Sequence, residues 1–537
     1  MSAAGMMRSA GLSVDPYRGP AGFVAAGGRM YADLTAVVRS KKLRKDLPQR
    51  MQIQGPRVAA AVERLLTDPR FSTQPGLPFR PRSMVRAAAR YAGPVVAGTV
   101  RALARPDAAR ARAYRIASEL EHHTTAPAGE LPAAERLEFV ETVPRDVLGR
   151  RMTGLIGILI GGLGASDLPR ALLGPYAEPG DLDAVLRGMP HNPTTEMDLE
   201  LWRLARAAED VRDVLLVHPP AELAARYRDG SLPDIGLTEF LAKYGRRAVA
   251  EIDVGVPRWV EDPTPVFAVI ANYLRVTDPE QAPDRRFAQA AAEAEAKLVE
   301  LVERAKPRRP VRARLAGFFM RRARAIAGLR ELPKFCSLHG FQQMREQLLA
   351  VGAELADRGL LDRADDIMFL DFPEAKAAVA GSDLRELVAQ RREVHEREMR
   401  RRHVPMVLLS DGTEPESELA PRVTADGALV GMAASPGVVT GPARVIVDPA
   451  GAHLEPGEIL VAPSTDPGWT PLFLTAGGLV TETGAPNSHG PTVAREYGIP
   501  AVIGVPAATT TIRSGQHITV DGYTGTVTVT DEPVSVG

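Results

Sequence analysis

The hydrophobic pattern of this chain changes period once, and that change constrains its architecture more than any other feature. Up to about residue 405, apolar residues recur at helical spacing, most clearly over 197–205, 286–304 and 344–358. From 427 to 532 the pattern becomes short β-rich runs, among them 443–447, 458–462 and 478–481, separated by turns rich in Gly and Pro. Between the two lies Ser410 to Pro421, acidic and poor in apolar residues, which reads as a mobile linker. A chain of 537 residues exceeds one ordinary core. The expectation is therefore an α+β protein, with a large all-α domain over 20–405, a linker over 406–426 and a small β/α domain over 427–537.

Charge excludes some classes of partner. Lys+Arg and Asp+Glu each total 66, a formal net charge of zero, which argues against a general binder of nucleic acid or of membrane surfaces. One cysteine, Cys336, forms no intrachain disulfide and suits a reducing cytoplasm. Residues 1–19 lack a basic-then-apolar leader. The most apolar run, Thr153 to Gly164, is shorter than the ~20 residues of a membrane span and reads as a buried helix packed closely through its glycines.

Chemistry concentrates in Thr481 to Gly490, where a small-residue loop leads to Ser488-His489 and a helix-like run starts at about Pro491. The N–H groups of a first helical turn are unpaired and carry partial positive charge, which suits an anion. Neutral imidazole is a nucleophile near pH 7. The arrangement reads as a histidine, His489, that accepts a phosphoryl group and passes it on.

The residues Gly484, Ser488, His489, Ala494, Arg495, Glu496 and Gly498 to Val502 give the segment a close likeness to the phosphohistidine swivelling domain of the phosphoenolpyruvate-utilising enzymes. Ala485 and Pro491 depart from that pattern, and Pro491 suits a first helical turn. Upstream, Pro190 to Met197, Tyr244 to Asp253 and Arg330 to Phe335 resemble the helical domain of the rifampicin phosphotransferase group within that family. The resemblance implies a phosphoryl loop of Gly484, Ser488 and Arg495, and a cationic clamp of Arg330 and Lys334 near an acceptor hydroxyl, with His339 as a candidate base.

Arg330 and Lys334 are four apart, so on a helix they share a face, although Pro333 between them interrupts such a helix. Arg246, Arg247, Glu251, Asp253 and Arg258 cluster around Trp259, either as a substrate site or as a structural ion-pair network. Residues 304–330 hold ten Lys/Arg and no acid, either an anion-attracting wall or a solvated face. His122 and His123 lack a metal-ligand pattern, and no metal site is expected in this chain.

The family takes phosphoryl from ATP through an ATP-grasp domain or from phosphoenolpyruvate through a barrel, and neither is legible in 1–537. The expected function is a phosphotransferase component. Its His489 would carry phosphoryl from a separate ATP-grasp-type partner, which holds ATP and Mg²⁺, to the hydroxyl of a small-molecule acceptor. This chain alone would bind no cofactor. A phosphorylation-coupled dehydratase or condensing enzyme and a non-catalytic binding protein are the alternatives.

Overall fold

The computed structural model describes residues 23–74, 81–127, 129–144, 151–178, 180–401, 404–419, 424, 427–447, 449, 452, 454–465, 469–484 and 488–530. The helical part opens on a short antiparallel hairpin, β1 (Phe23–Ala26) and β2 (Arg29–Ala32), which the all-helical expectation did not foresee. Gly27 and Gly28 both have positive φ, 56° and 70°, the backbone that a two-residue turn between twisted strands requires.

The helices that build and position the site are α1 (Pro56–Leu65), α2 (Pro81–Ala104), α3 (Pro106–Thr124), α4 (Thr153–Leu173), α5 (Pro193–Ala207), α6 (Thr264–Arg275), α7 (Pro283–Ala305), α8 (Pro310–Ile326), α9 (Leu332–Asp357) and α10 (Arg385–Met399). The proline-rich turn at 306–310 breaks α7 from α8 as its composition predicts. The apolar glycine run became α4, and its glycines do what close packing needs. A Cβ on Gly157 would lie 2.8 Å from the Val95 carbonyl oxygen and 2.9 Å from the Gly98 Cα, so α2 and α4 touch backbone to backbone. By length and apolar composition 153–176 passes for a membrane span, yet Leu155, Ile158 and Ala165 are buried against protein.

The C-terminal part is a mixed eight-stranded sheet in the order β3-β10-β9-β5-β6-β7-β8-β4. Its strands are β3 (Leu429–Val430), β4 (Met432–Ser435), β5 (Val438–Val445), β6 (Ile459–Ala462), β7 (Gly478–Thr481), β8 (Ala501–Ile503), β9 (His517–Asp521) and β10 (Thr526–Thr530). Strands β5 to β8 are parallel. The two central ones, β6 and β7, are buried at every position, which is why they read as continuous apolar runs. Parallel pairing needs crossovers, and α11 (Thr470–Thr475) and α12 (His489–Tyr497) supply them. Ile459, Val461, Val480 and Val502 face one core; Leu460, Leu479, Ala501 and Ile503 face α11 and α12 through Phe473, Val493 and Tyr497. That second core runs on without a break into Met197 and Trp202 of α5 and Phe267, Ile270 and Tyr273 of α6.

The linker expectation is corrected over its described residues. Glu416 is buried and accepts from the backbone N–H groups of Met406 and Val407 at 2.8 and 3.2 Å. Arg57 of α1 donates to the Glu416 carbonyl, and Arg64 and Arg70 pair with Glu418 and Asp411. Val407 packs on Val38, Leu47 and Val62. Two of the acids that made the stretch look solvated, Asp411 and Glu418, are the partners of arginines more than 300 positions upstream, while Glu416 is held by local backbone N–H groups. Residues 402–403, 420–423 and 425–426 lie outside the described residues.

Gly157→Ala should force α2 and α4 apart and cost about 1–3 kcal/mol, the usual range for overpacking. A lowered urea midpoint with unchanged helical circular dichroism below the transition is the expected readout.

Candidate functional site

The loop before the histidine is held from several sides. Thr483 donates through its N–H and its hydroxyl to the Pro463 carbonyl, both at 3.0 Å. Glu482 accepts from the N–H and hydroxyl of Thr509 at 2.8 and 2.5 Å. Gly484 stands at φ 149°, a backbone that disfavours any side chain. Residues 485–487 and the His489 side chain lie outside the described residues. The helix α12 begins at His489 itself, two residues before the start read from the sequence, with Ser488 as N-cap residue. Pro491 falls in the first turn, where a missing N–H costs nothing. The far end is closed by Gly498 at φ 69°, with Ile499 N–H on the Ala494 carbonyl at 2.8 Å. A Cβ at Gly490 would lie 2.2 Å from Thr465 Oγ1, so the loop after β6 crosses directly against the helix start.

Arg330 reaches this helix from the helical part. Its guanidinium donates to Thr492 Oγ1 at 2.5 Å, and the Thr492 hydroxyl donates on to the Ser488 carbonyl at 2.9 Å. Thr492 is three residues along from His489, about one helical turn. Arg330 sits in a 3₁₀ turn, Ala327–Glu331, wedged between two backbones. A Cβ on Gly328 would lie 2.3 Å from the Pro190 carbonyl oxygen, and one on Gly162 would lie 3.2 Å from the Ala327 Cα. Arg495 donates to the Ala434 carbonyl at 2.9 Å. Burial first, and then the positive charge of Arg330, push Arg495 below its ordinary value.

The shared helical face expected for Arg330 and Lys334 is corrected. Pro333 marks a junction, with Arg330 in the 3₁₀ turn and Lys334 in the first turn of α9. Lys334 pairs with Glu251 at 2.5 Å, not with the helix that carries His489. Glu251 also holds Arg247 at 2.8 Å, and Arg247 donates to Thr194 Oγ1 at 3.1 Å. Arg258, with no exposure, donates to the Glu251 and Asp253 carbonyls, and the Asp253 carboxylate accepts from Gly255 N–H. Trp259 is buried in the core beside Phe267. Within the cluster around Trp259, Arg247 and Glu251 form a buried ion pair that Lys334 joins, Arg258 binds backbone carbonyls, Asp253 is exposed, and Arg246 pairs separately with Glu121. His339 is nearly buried, with Nε2 2.9 Å from Thr125 Oγ1. Burial, helped by Arg246, holds its imidazole below the ordinary range. Burial pushes the Cys336 thiol up to about 12, the setting of an inert thiol.

Part of the basic stretch 304–330 is tied down as well, while Arg308, Arg312, Arg314 and Arg321 are exposed. Arg304 pairs with Asp181 and Glu300, Arg322 donates to the Leu103 carbonyl, and Arg324 donates to the Val185 and Arg187 carbonyls. Among the described residues no group of three His, Cys, Asp or Glu side chains is placed to hold a metal ion. A cavity of about 400 Å³ lies between α2, α3 and α4, lined by Val95, Gly98, Arg101, Arg112, Gly157 and Ile158 among others. Its floor residue Ala102 lies against Gly161, whose other neighbour is Ile326, the residue that enters the Arg330 turn.

Sequence reasoning did not single out Thr492, Glu496, Asn192 or Thr195. Glu496, with 1% exposure, is received inside the helical part. Asn192 Nδ2 donates to its Oε1 at 2.6 Å and the Thr195 hydroxyl to its Oε2 at 2.5 Å. Asn192 is at the same time the N-cap of α5, accepting from Thr194 N–H at 3.0 Å. The available signal was an acid set among Val493, Ala494 and Tyr497 on a short helix, where a solvated face would not carry so many apolar neighbours.

Asp198 lies in the same buried region, and its Oδ2 has no hydrogen-bond partner among the described residues. Burial holds Asp198 well above the usual carboxylate range and raises Glu496 too, against the Thr195 hydrogen bond and the charge of Arg330. Both groups release their proton at a higher pH in the folded chain than in the unfolded one, where the ordinary values are 3.8 and 4.5. Stability therefore falls as pH rises from those values toward the folded ones. Urea midpoints should decline as pH rises above these unfolded-state values, and Asp198→Asn, which cannot ionise, should flatten the decline.

Comparison with known proteins agrees with this division of the chain. Residues 154–331 match the model of the rifampicin phosphotransferase fourth domain, and residues 454–525 match the mobile domain of PEP-utilising enzymes. The chain is 37% identical to a rifampicin phosphotransferase of Streptomyces sviceus over 362 residues, covering 65% of this chain and 41% of the relative. To that of Bacillus subtilis it is 34% identical, covering 65% and 41%. To the prodigiosin synthesizing transferase PigC of Serratia marcescens it is 33% identical, covering 54% of this chain and 33% of that one. The chain thus spans about two-fifths of the length of the rifampicin phosphotransferases it matches. Its helical part is similar over 154–331 to the fourth domain of rifampicin phosphotransferase, and its sheet is similar over 454–525 to the mobile domain of PEP-utilising enzymes.

Proposed function

We propose that this chain transfers phosphoryl groups to the hydroxyl of a small molecule, with His489 as the carrier. The observation that carries the reading is the contact of Arg330 with Thr492, one turn from His489, within a segment matching a PEP-utilising mobile domain. An ATP-grasp-type protein, with ATP and Mg²⁺ bound to it, charges His489 in this reading. The acceptor occupies the cavity between α2, α3 and α4, whose small and apolar lining, with arginines at its edge, suits a bulky and partly apolar molecule.

The transfer balances simply. The acceptor oxygen forms a bond to phosphorus while the N–P bond breaks, and that electron pair returns to the imidazole. The hydroxyl proton ends on the departing imidazole, directly or through a neutral base for which His339 is the candidate. The α12 N–H groups and the Arg330 guanidinium stabilise negative charge on the phosphoryl oxygens as it moves. Lys334 serves this only by leaving Glu251, so its contribution is second to that of Arg330.

The likeness to the prodigiosin synthesizing transferase favours a second reading, in which the phosphorylated acceptor goes on to condensation or dehydration. The two share the first transfer and differ in product. A binding protein without catalysis is the third.

Chemical charging separates these readings. Potassium phosphoramidate, a small donor to histidine, should give the chain an acid-labile, base-stable phosphoryl that His489→Ala lacks. Chasing the charged chain with rifampicin, the acceptor in the name of its relatives, tests delivery. Arg330→Ala should charge normally and deliver about 100-fold or more slowly, the usual range for losing one transition-state donor. An uncharged wild-type chain overturns the carrier reading and leaves the binding protein.

A further inference from the structure

We infer that Glu496 is a docking latch, a positioning residue that holds the sheet domain against the helical part so that His489 stands beside Arg330. The inference rests on the phosphoryl-transfer reading for its purpose, but the latch itself rests on geometry. Glu496 projects from α12 into the other domain and is received by Asn192 and Thr195, at 2.6 and 2.5 Å, with 1% of its surface exposed. A carboxyl group buried this far is costly unless both oxygens are paired, and the two donors pair both. Neither domain alone supplies that pairing, so separating them strips three polar groups of their partners at once.

The latch is placed to act on the site. Along α12, Thr492 and Glu496 are four apart and so lie on one face. Thr492 takes Arg330, and Glu496 takes the Asn192 loop. The two receiving segments are themselves in backbone contact, Gly328 of the Arg330 turn against the Pro190 carbonyl. Fixing Glu496 therefore fixes the angle at which the helix start, and His489, approaches Arg330. The anchorage continues inward from Asn192 to Thr194, Arg247, Glu251 and Lys334, all hydrogen-bonded or ion-paired in sequence. Around Glu496 the charged and titratable neighbours are Arg330, Glu331, Asp198 and Arg495. The apolar contact around Tyr497, Phe267 and Tyr273 gives the interface adhesion without direction. The paired carboxyl gives it register.

Hydrogen–deuterium exchange on the full chain tests the latch without any phosphoryl chemistry. In Glu496→Ala, peptides covering 193–207 and 489–497 should exchange about tenfold faster or more, the effect of removing a buried hydrogen-bonded group. Peptides within β6, β7 and the middle of α9 should keep wild-type rates. Glu496→Gln should return the interface peptides to within about twofold of wild type, because the amide pairs with Asn192 and with Thr195 acting as acceptor. Asn192→Ala combined with Thr195→Val should repeat the Glu496→Ala result from the other side. Wild-type exchange at the interface in Glu496→Ala, or equal acceleration across the whole chain, overturns the latch.

Delivery is then read on the same variants. Glu496→Ala should accept phosphoryl from phosphoramidate as wild type does and lose about tenfold or more in transfer, with Glu496→Gln restoring it. An opened interface with undiminished transfer overturns the positioning role. A wild-type chain that never transfers speaks instead against the phosphotransfer reading, and the exchange result alone then decides the latch.

Discussion

Two domains of different architecture share one apolar core in this chain, and two short helices, α11 and α12, make that possible. One side of α12 completes the sheet domain through Val493 and Ala494, Tyr497 lies in the core common to both parts, and Glu496 is received by the helical part. A crossover helix in a parallel sheet normally has a solvent-facing back. Here the back is spoken for, so the helix that begins at His489 belongs to both domains at once. Its start and end are fixed by the sheet domain, through Ser488 and the Gly498 turn, and its orientation by the helical part.

How much of this was legible from the sequence follows the range of the contacts involved. The histidine segment, the break at Lys306 to Pro310 and the β-rich runs at 458–462 and 478–481 rest on local pattern, and each stands close to where it was read. The glycine run was legible for the same reason, since only a backbone-to-backbone crossing explains so many glycines in an apolar helix. Ser410 to Pro421 was not legible. Asp411 and Glu418 looked solvated because the arginines that bind them, Arg70 and Arg64, stand at the other end of the helical part, as does Arg57, which binds the Glu416 carbonyl. Composition reports what a segment can do alone and not what a distant segment does to it.

The candidate site shows the same division. Arg330 was identified and lies beside the helix that His489 begins, but Lys334 was grouped with it by spacing alone and turned out to serve Glu251. Pro333 was the clue, since a proline between them marks the first turn of a new helix more often than the middle of an old one. Arg247, Glu251 and Arg258 carried charge in a conspicuous cluster, yet their charges are spent on one another and on backbone carbonyls. Glu496 and Asn192 were visible inside quoted motifs, but nothing in one sequence says that residues 304 positions apart are partners.

The turn that holds Arg330 is gripped by glycines on both sides, Gly328 against the Pro190 loop and Gly162 against Ala327. Contacts of this kind have no side chains to repack. The cavity two turns away along α4 is walled mostly by side chains, from Val95 to Ile158. The two places therefore answer differently to mutation. Substitutions of the outer lining side chains, away from Ala102 and from the Gly98–Gly157 crossing, can change the cavity's shape with little strain on the turn, and substitutions at the turn disturb the arginine directly. A scaffold divided in this way leaves the outer lining of the cavity free to vary while the setting of the cation is kept.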